Sequence, residues 1–458
     1  MADAPQTRGL AAGSGMALAY GDLGLARLAY HRGALASLGT TLDELAIEGS
    51  AVLLHAPAAS APLTQVIDAA RAAVTARYPT TEVVAVAGPH DVVLDEATID
   101  RAVSDAGVPA LVVSVGSGTI SDLGKVLALR TGATLITVQT AASVNGYANG
   151  LSVLLEHGIK RTSPSVMPKA LIIDADVLDA APPRLTRAGV GDAVAVLTSA
   201  ADYYLAHKVG LDDTFDPWFF EPIQRVLTRL QAADGAHEDR RDALVEALTL
   251  GGLAIGAAGT TAPLSGTEHL LSHLVDMVAA AHDGAHDLHG AQVGAGTVLV
   301  SALWRRLLED PDLLLATERL APPDLSTLEA QTHAVWREVD PTGALGRHCW
   351  GIVARKWQAL GARLPILEQL RADWSSHATQ LEGWLGAPEQ AATTLQAWGG
   401  VTQFAALEPA VDADRVRWLL RALPFVRERL TVVDLLLLAG SWDEDVREAV
   451  RNDAAASG

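Results

Sequence analysis

Cysteine is nearly absent from this sequence: Cys349 is the single one among 458 residues. A lone cysteine excludes an intrachain disulfide framework and fits a reducing compartment. Cys349 could act as a nucleophile, but a single cysteine beside a tryptophan, here Trp350, is more typical of a small core residue.

Basic residues are also few. The sequence has 34 Lys and Arg and 54 Asp and Glu, which gives a formal net charge of −20. This balance argues against a nucleic-acid or anionic-membrane partner, although a local basic site for a small anion is compatible with it. The most apolar late segment, 430–440, contains Asp434 and is far too short to span a bilayer. The N-terminus lacks a basic stretch followed by a long apolar run. We therefore expect a cytoplasmic protein.

The remaining composition is that of a globular protein, with 49% hydrophobic and 19% charged residues. Between about residues 50 and 175, short apolar runs alternate with helical stretches, which predicts a parallel sheet covered on both faces. The predicted strands are 51–55, 83–87, 110–115, 134–138 and 170–173, and the predicted helices are 62–77, 95–106 and 119–131. Segment 151–163 interrupts this alternation and predicts a hairpin with its turn at His157–Gly158.

Helical periodicity dominates after about residue 180, and Pro182-Pro183 marks the change. We predict a flexible tail over residues 1–30, an α/β domain over 31–181 and a helical domain over 182–458. The final residues, 452–458, are rich in Ala, Ser and Gly and are expected to fray.

A glycine-rich turn, Val-Gly-Ser-Gly-Thr, follows the predicted strand at 110–115. Gly116 and Gly118 lack side chains where a backbone must approach a pyrophosphate, and the N–H groups of Thr119 and Ile120 could face that anion at a helix N-terminus. The turn does not match the G-x-G-x-x-G pattern, so by itself it is equally well explained as a plain βα turn.

A second polar loop, 137–147, follows the next predicted strand and carries Thr140, Ser143 and Asn145. The carboxyl ends of strands are where ligands bind in open α/β sheets, although a Ser/Asn-rich turn is the simpler explanation of this loop alone. No carboxylate ends the strand at 51–55 to accept a ribose 2′-OH. The choice between NAD and NADP therefore stays open, with some added weight for NADP.

Histidine and carboxylate motifs later in the chain favour a divalent-metal site. His269 and His273 are spaced i, i+4 and project from one face of a predicted helix, His289 opens His-Gly-Ala-Gln-Val-Gly, and Asp192 ends Gly-Val-Gly-Asp. Imidazoles with a carboxylate hold a metal while leaving a position open for substrate. Glu268 should point to another side of the helix and is a candidate for the outer shell.

Each of these residues also has a simpler explanation. Asp192, placed early in a predicted helix, could favour the helix N-terminus electrostatically. The i, i+4 histidines could be solvated or satisfied in a core, and His289 could cap a helix. Taken together with a nucleotide loop, however, they favour a metal site. Metal and nucleotide together suggest hydride transfer to or from an alcohol carbon.

Seven motifs in order resemble the sn-glycerol-1-phosphate dehydrogenase group of the iron-containing alcohol dehydrogenase and dehydroquinate synthase-like superfamily. They are GSGTISD, TAASVNGYA, GIKRTSPS, PKALIIDADVL, GVGD, SGTEHLLSH and a final HG. The resemblance covers roughly residues 50–300 in detail. It implies an N-terminal Rossmann-like domain and a C-terminal all-helical domain, with the active site in the cleft between them.

The same resemblance implies a metal site made of Asp192, His269 and His289. It implies that His273 faces the substrate and is not a ligand, and that Asn145 lies at a catalytic position. Iron-binding members commonly carry a fourth ligand, a histidine, at the position of Val196. Its absence here favours zinc with three protein ligands, with Fe²⁺ or Ni²⁺ as other candidates.

Contacts with the cofactor and with a substrate phosphate are implied as well. The expected NAD(P)-contacting residues are Gly116, Ser117, Gly118, Thr119, Asp122, Thr140, Ser143 and Asn149. Lys160 and Arg161, in the hairpin, are expected to bind a substrate phosphate.

The expected activity is reversible NAD(P)-linked oxidation of a secondary alcohol, on a small polyol phosphate such as glycerol 1-phosphate. Asn145 departs from the family, which usually has a substrate-contacting Asp there, so the substrate could be a related compound.

One alternative is a sugar-phosphate cyclase of the dehydroquinate synthase type, although those enzymes usually carry Glu at the position of Asp192. Another is a non-catalytic metabolite-binding homologue, which Asn145 and Asn149 keep open. A homodimer is a candidate assembly.

Overall fold

The computed structural model describes residues 23–85, 92–231 and 237–458. The chain forms two compact units, each discontinuous in sequence. Among the described residues, the first unit contains 23–85, 92–189 and 237–259, and the second contains 190–231 and 260–458. The predicted domain limits at 31, 181 and 182 remain predictions. The first unit also includes residues 237–259, which lie far beyond the predicted limit at 181.

The first unit contains a parallel sheet of six strands and a separate two-stranded hairpin. The strands in chain order are β1 Arg27–His31, β2 Ala51–His55, β3 Thr80–Val84, β4 Leu111–Gly116, β5 Thr134–Gln139, β6 Leu151–Glu156, β7 Ile159–Pro164 and β8 Ala170–Asp174. The sheet order is β1-β8-β5-β4-β2-β3 and every pairing in it is parallel. The predicted α/β fold of this half is therefore confirmed.

Side chains alternate across the sheet and supply two hydrophobic cores. Leu53 of β2 packs in one core, whereas its neighbours Val52 and Leu54 pack in the other. Because successive side chains of a strand point to opposite faces, a strand buried on both faces is mostly apolar along its whole length. All five residues of β2 are buried, which explains the short continuous apolar run in the sequence.

Helices α1 Leu38–Leu45, α2 Ala61–Thr75, α3 Glu96–Ala106, α4 Gly118–Thr131 and α5 Ala175–Asp179 contribute residues that pack in these cores. The first unit also contains α9 His237–Ala258, later in the chain. Helix α6, Pro183–Val194, crosses the limit between the units. Asp95 caps α3 by accepting the Thr98 N–H at 2.8 Å.

The second unit is built from helices, as the periodicity after residue 180 predicts. They are α7 Val196–Lys208, α8 Glu221–Gln231, α10 Thr267–Ala281, α11 His289–Glu309, α12 Asp312–Leu315, α13 Leu325–Arg337, α14 Ala344–Ala362, α15 Leu364–Ala372, α16 Trp374–Glu382, α17 Pro388–Ala397, α18 Ala413–Ala422, α19 Val432–Ala439 and α20 Glu444–Ser457. No helix in the described ranges is both long and apolar enough to cross a membrane.

The hairpin forms with its turn where the sequence predicts it. His157 and Gly158 separate β6 from β7 and have φ values of 52° and 77°. A two-residue turn of type I′ needs positive φ at both central positions, which glycine adopts at little cost. The hairpin therefore presents Lys160 and Arg161 on β7.

Three local predictions are corrected by the structure. Residues 27–31 form strand β1 rather than part of a flexible tail, while residues 1–22 lie outside the described residues. The strand predicted at 83–87 is Thr80–Val84, and residues 86–87 are likewise not described. The C-terminal residues do not fray but continue α20, where the Gln396 side chain donates to the Gly458 carbonyl at 2.9 Å.

Candidate metal centre

Asp192, His269 and His289 converge within the second unit. One ligand atom from each lies within 4.8 Å of the others. Asp192 Oδ1 lies 3.4 Å from His269 Nε2 and 3.8 Å from His289 Nε2. Two ligands at 2.0–2.1 Å from a tetrahedral zinc ion would be about 3.4 Å apart. The three donors therefore fit a single divalent cation.

Three helices bring these residues together through close backbone packing. Asp192 lies in the last turn of α6, His269 in the first turn of α10, and His289 is the first residue of α11. A Cβ atom on Gly191 would lie 1.9 Å from the Gly290 carbonyl oxygen. Gly191 is therefore required for the approach of α6 to α11, and this approach places Asp192 beside His289.

The second ring nitrogen of each histidine ligand has a partner. His269 Nδ1 lies 3.0 Å from Glu268 Oε1, and His289 Nδ1 lies 2.8 Å from Ser272 Oγ. Such outer partners fix the ring orientation and leave the other nitrogen for a metal. The wholly buried Glu268 carboxylate also accepts the Gly266 N–H at 2.6 Å. Glu268 thus turns toward its neighbour His269, although helical geometry alone predicts another direction.

Two neighbouring carboxylates favour the protonated form of His269. Burial alone would lower the pKa of this imidazole, but the Asp192 and Glu268 carboxylates outweigh burial and raise the pKa to about 9. Without a cation, the ring therefore carries a proton at neutral pH and acts as the positive partner of two carboxylates.

The simpler explanations of two ligands do not hold in the structure. Asp192 lies at the C-terminal end of α6, where a carboxylate gains nothing from the helix dipole. His289 does not cap α11, because the N-cap residue is Leu288. Both side chains therefore need another reason for their positions, and the cluster around Asp192 Oδ1 supplies one.

His273 lies beside the three ligands but outside their group. Its ring centroid is 6.0 Å from that of His289 and 6.5 Å from that of His269. Arg427 Nη2 lies 3.1 Å from His273 Nδ1. No sequence motif points to Arg427, which lies 154 residues away from this histidine.

The two predicted nucleotide loops lie side by side in the first unit. They follow β4 and β5, which are neighbours in the sheet, and the Thr140 N–H donates to the Gly116 carbonyl at 3.1 Å. A Cβ atom on Gly116 would lie 2.5 Å from Ile120, and one on Gly118 would lie 2.9 Å from Val144. The glycines thus have a packing role of their own, and phosphate binding at this turn stays a prediction.

A buried lysine on α4 that sequence analysis missed joins this helix to the second loop and to the hairpin. Lys125 has no exposed surface, and its ammonium lies 3.0 Å from Asp122 Oδ1, 2.8 Å from the Leu151 carbonyl and 3.4 Å from Asn149 Oδ1. It also donates to the Gly146 carbonyl. Its spacing of three residues from Asp122 on one helix was the available signal.

Asp122 and Asn149 mainly hold neighbouring backbone in place. Asp122 Oδ2 accepts the Val153 N–H at 3.0 Å, and Asn149 Oδ1 accepts the Leu151 N–H at 2.9 Å. Two other predicted site residues of this unit remain partly accessible. Asn145 is half-buried, and the Arg161 guanidinium lies 3.9 Å from the Glu156 carboxylate with 41% of its side chain exposed.

Comparisons with known proteins identify similar sequences. The profile of the family described as iron-containing alcohol dehydrogenase matches residues 29–182. A glycerol-1-phosphate dehydrogenase [NAD(P)+] of Halalkalibacterium halodurans is 36% identical over 197 residues, which is 42% of this chain and 49% of that protein. The protein of the same name from Thermococcus kodakarensis is 33% identical over 222 residues, 47% of this chain and 61% of that protein. The chain thus spans about half the length of the first relative.

Solved structures share the fold. A probable glycerol dehydrogenase from Sinorhizobium meliloti has a TM-score of 0.55 and 17% identity, with 94% of this chain and 97% of that chain covered. Maleylacetate reductase from Rhizobium sp. has a TM-score of 0.53 and 16% identity, with coverage of 94% and 96%. The chain is therefore similar to the iron-containing alcohol dehydrogenase family over residues 29–182 and to glycerol-1-phosphate dehydrogenases over a little under half of its length, and it shares the fold of the solved structures.

Proposed function

We propose that this protein is a metal-dependent, NAD(P)-linked dehydrogenase that interconverts a secondary alcohol and its ketone. The substrate class is a small polyol phosphate, such as glycerol 1-phosphate and dihydroxyacetone phosphate. The observation that carries the proposal is the geometry of Asp192, His269 and His289, in which both rings are held through Nδ1 and direct Nε2 toward one carboxylate. The names of the relatives support the substrate class.

Asp192, His269 and His289 would hold the divalent cation, and zinc is the metal we propose because Val196 occupies the position of a fourth histidine. When bound, such a cation polarises an alcohol or carbonyl oxygen. His273 would orient the substrate. Because a guanidinium can only donate, Arg427 makes His273 Nδ1 an acceptor, which leaves the ring proton on Nε2 to hydrogen-bond a substrate oxygen.

The first unit would bind the cofactor. We assign the phosphates to the turn at 116–119 and further contacts to Thr140 and Ser143, with Asn145 near the substrate. Asp122 and Asn149 would act on the cofactor by holding these loops around Lys125, since their carboxylate and amide oxygens already accept hydrogen bonds. Lys160 and Arg161 would bind the substrate phosphate.

A cytoplasmic location, suggested by the single cysteine, and a homodimeric state belong to the same proposal. Light scattering of the purified chain would measure the assembly.

The proposed activity is tested by oxidation of NADH and NADPH with dihydroxyacetone phosphate and a panel of ketose and triose phosphates. We expect net consumption of reduced nicotinamide that stops on chelation and returns with zinc. Net consumption also separates a dehydrogenase from a sugar-phosphate cyclase, which recycles its NAD. Folded, zinc-loaded protein without turnover on the panel would instead favour a metabolite-binding role.

Replacing Lys160 by alanine is expected to raise KM for phosphorylated substrates about tenfold, because a hydrogen bond to a charged group contributes roughly 1.5–3 kcal/mol. Unphosphorylated polyols should be affected much less. Lys169, which is exposed and outside the hairpin, supplies the matched control Lys169→Ala. Equal losses for both substrate types would show that the hairpin does not read phosphate.

Zinc affinity is expected to depend on pH through His269. Because zinc must displace the ring proton, apparent affinity should rise by up to about tenfold per pH unit until pH reaches about 9. In the metal-free protein, folding stability changes with pH in the opposite direction. The raised pKa of His269 contributes fully to the free energy of unfolding below pH 6.5, and this contribution is lost as pH rises through about 9. Chelator competition and urea unfolding across this range measure the two effects, and a flat affinity profile would contradict the assigned protonation.

A further inference from the structure

A chain of buried polar side chains leads away from His289. Its Nδ1 lies 2.8 Å from Ser272 Oγ, which lies 2.6 Å from Gln292 Oε1. Gln292 Nε2 lies 2.9 Å from Asp276 Oδ1 and 2.9 Å from the Asp287 carbonyl oxygen. Ser272 and Gln292 have no exposed surface. We propose that Ser272 and Gln292 are positioning residues that fix the tautomer of His289 and thereby set the zinc affinity of the metal centre.

The direction of each hydrogen bond follows from the outer end of this chain. A carbonyl oxygen can only accept, so the end of Gln292 that faces Asp287 must be the NH2 end. Its Oε1 therefore faces Ser272 and needs the hydroxyl proton. Since that single proton is committed to Gln292, Ser272 Oγ accepts from His289 Nδ1–H.

This pattern places the lone pair of His289 on Nε2. That atom lies 3.8 Å from Asp192 Oδ1 and is the one that would bind a cation. His289 is thus held by a neutral hydroxyl and amide, whereas His269 is held directly by the Glu268 carboxylate. The inference rests on the proposed function, because it assigns these residues to the proposed metal centre.

Ser272→Ala removes the acceptor for His289 Nδ1 without replacing any of the three proposed metal ligands. We expect zinc affinity, measured with zinc alone by competition against a fluorescent chelator, to fall roughly 10- to 100-fold. Ser301→Ala is the matched control. Ser301 is also buried, on α11, and its hydroxyl has no hydrogen-bond partner among the residues that the structure describes. This control should keep the zinc affinity of the unaltered protein.

Gln292→Met tests the direction of the hydrogen bonds separately. It keeps a side chain of similar length but removes the acceptor for the Ser272 hydroxyl. The hydroxyl can then turn and donate to His289 Nδ1, which favours the tautomer with its proton on Nε2. We expect zinc affinity to fall as in Ser272→Ala, although the hydroxyl is still present. Circular dichroism of the metal-free variants reports their folding.

The outcomes separate this inference from the proposed function. If either variant folds and binds zinc as tightly as Ser301→Ala, the positioning role is overturned. If one variant fails to fold, the other decides. Loss of zinc in His269→Ala with full affinity in Ser272→Ala would overturn this inference alone. Full zinc affinity in His269→Ala would instead remove the metal centre on which the proposed function depends.

Discussion

Replacing His269 by alanine is expected to abolish stoichiometric zinc binding and nearly all dehydrogenase activity. The change removes one of three donors, so the loss of zinc affinity should exceed the roughly 10- to 100-fold that outer-shell changes cost. Lewis-acid polarisation supplies several kcal/mol of transition-state stabilisation, and kcat/KM should therefore fall about 1000-fold or more. Metal analysis of the purified variant and its turnover of dihydroxyacetone phosphate measure both effects.

His282 provides the control for this experiment. It is an exposed histidine that follows the last residue of the same helix, α10, so His282→Ala should leave metal content and turnover unchanged. A His269→Ala protein that retains stoichiometric zinc would refute the ligand assignment. Activity that is lost while zinc is retained would place His269 in contact with substrate instead.

Replacing Lys125 by methionine is expected to lower the free energy of unfolding by about 3 kcal/mol. Removing one partner of a buried ion pair leaves the other charge uncompensated, which costs roughly 3–5 kcal/mol. The lower end applies because Asp122 keeps 17% of its side chain exposed. The backbone carbonyls of Gly146 and Leu151 also lose their donor, so KM for the cofactor should rise as the loops loosen. Urea unfolding and steady-state kinetics measure these effects.

A second variant tests the cause of that loss. In Lys125→Met with Asp122→Asn, the amide oxygen can still accept the Val153 N–H and no buried charge is left. Part of the stability should return. The exposed Lys169→Met controls for loss of a lysine in general. A change below about 1 kcal/mol in Lys125→Met would mean that Lys125 contributes no more than a surface ion pair.

Much of the fold could be predicted from sequence because its signals are local. The strand at Ala51–His55 has the predicted bounds, and the helix at Gly118–Thr131 begins one residue before its predicted start and ends where predicted, since continuous apolar runs and 3.6-residue periodicity reflect burial of neighbouring residues. Strand β1 was missed because residues 27–31 alternate weakly and become a strand only by pairing with β8, far along the chain.

The proposed metal ligands were predicted from motifs and a family resemblance, and the structure brings all three residues together. The motifs contain no information on what surrounds them. The pKa of His269, raised to about 9, depends on two carboxylates that converge on one ring. The helical direction predicted for Glu268 was wrong because the first turn of α10 lets its carboxylate fold back toward the Gly266 N–H.

Local sequence patterns were enough to predict the alternation of strands and helices, the change to helices near residue 180, and Asp192, His269 and His289 as candidate metal ligands. Three contacts are visible only in the folded chain: Arg427 meets His273, Lys125 joins helix α4 to the hairpin, and Gln292 accepts the hydroxyl of Ser272 beside His289. The physical reason is that periodicity and motif spacing record burial and chemistry along the chain. A hydrogen bond between residues that are distant in sequence exists only when packed helices and strands bring its donor and acceptor within about 3 Å of each other.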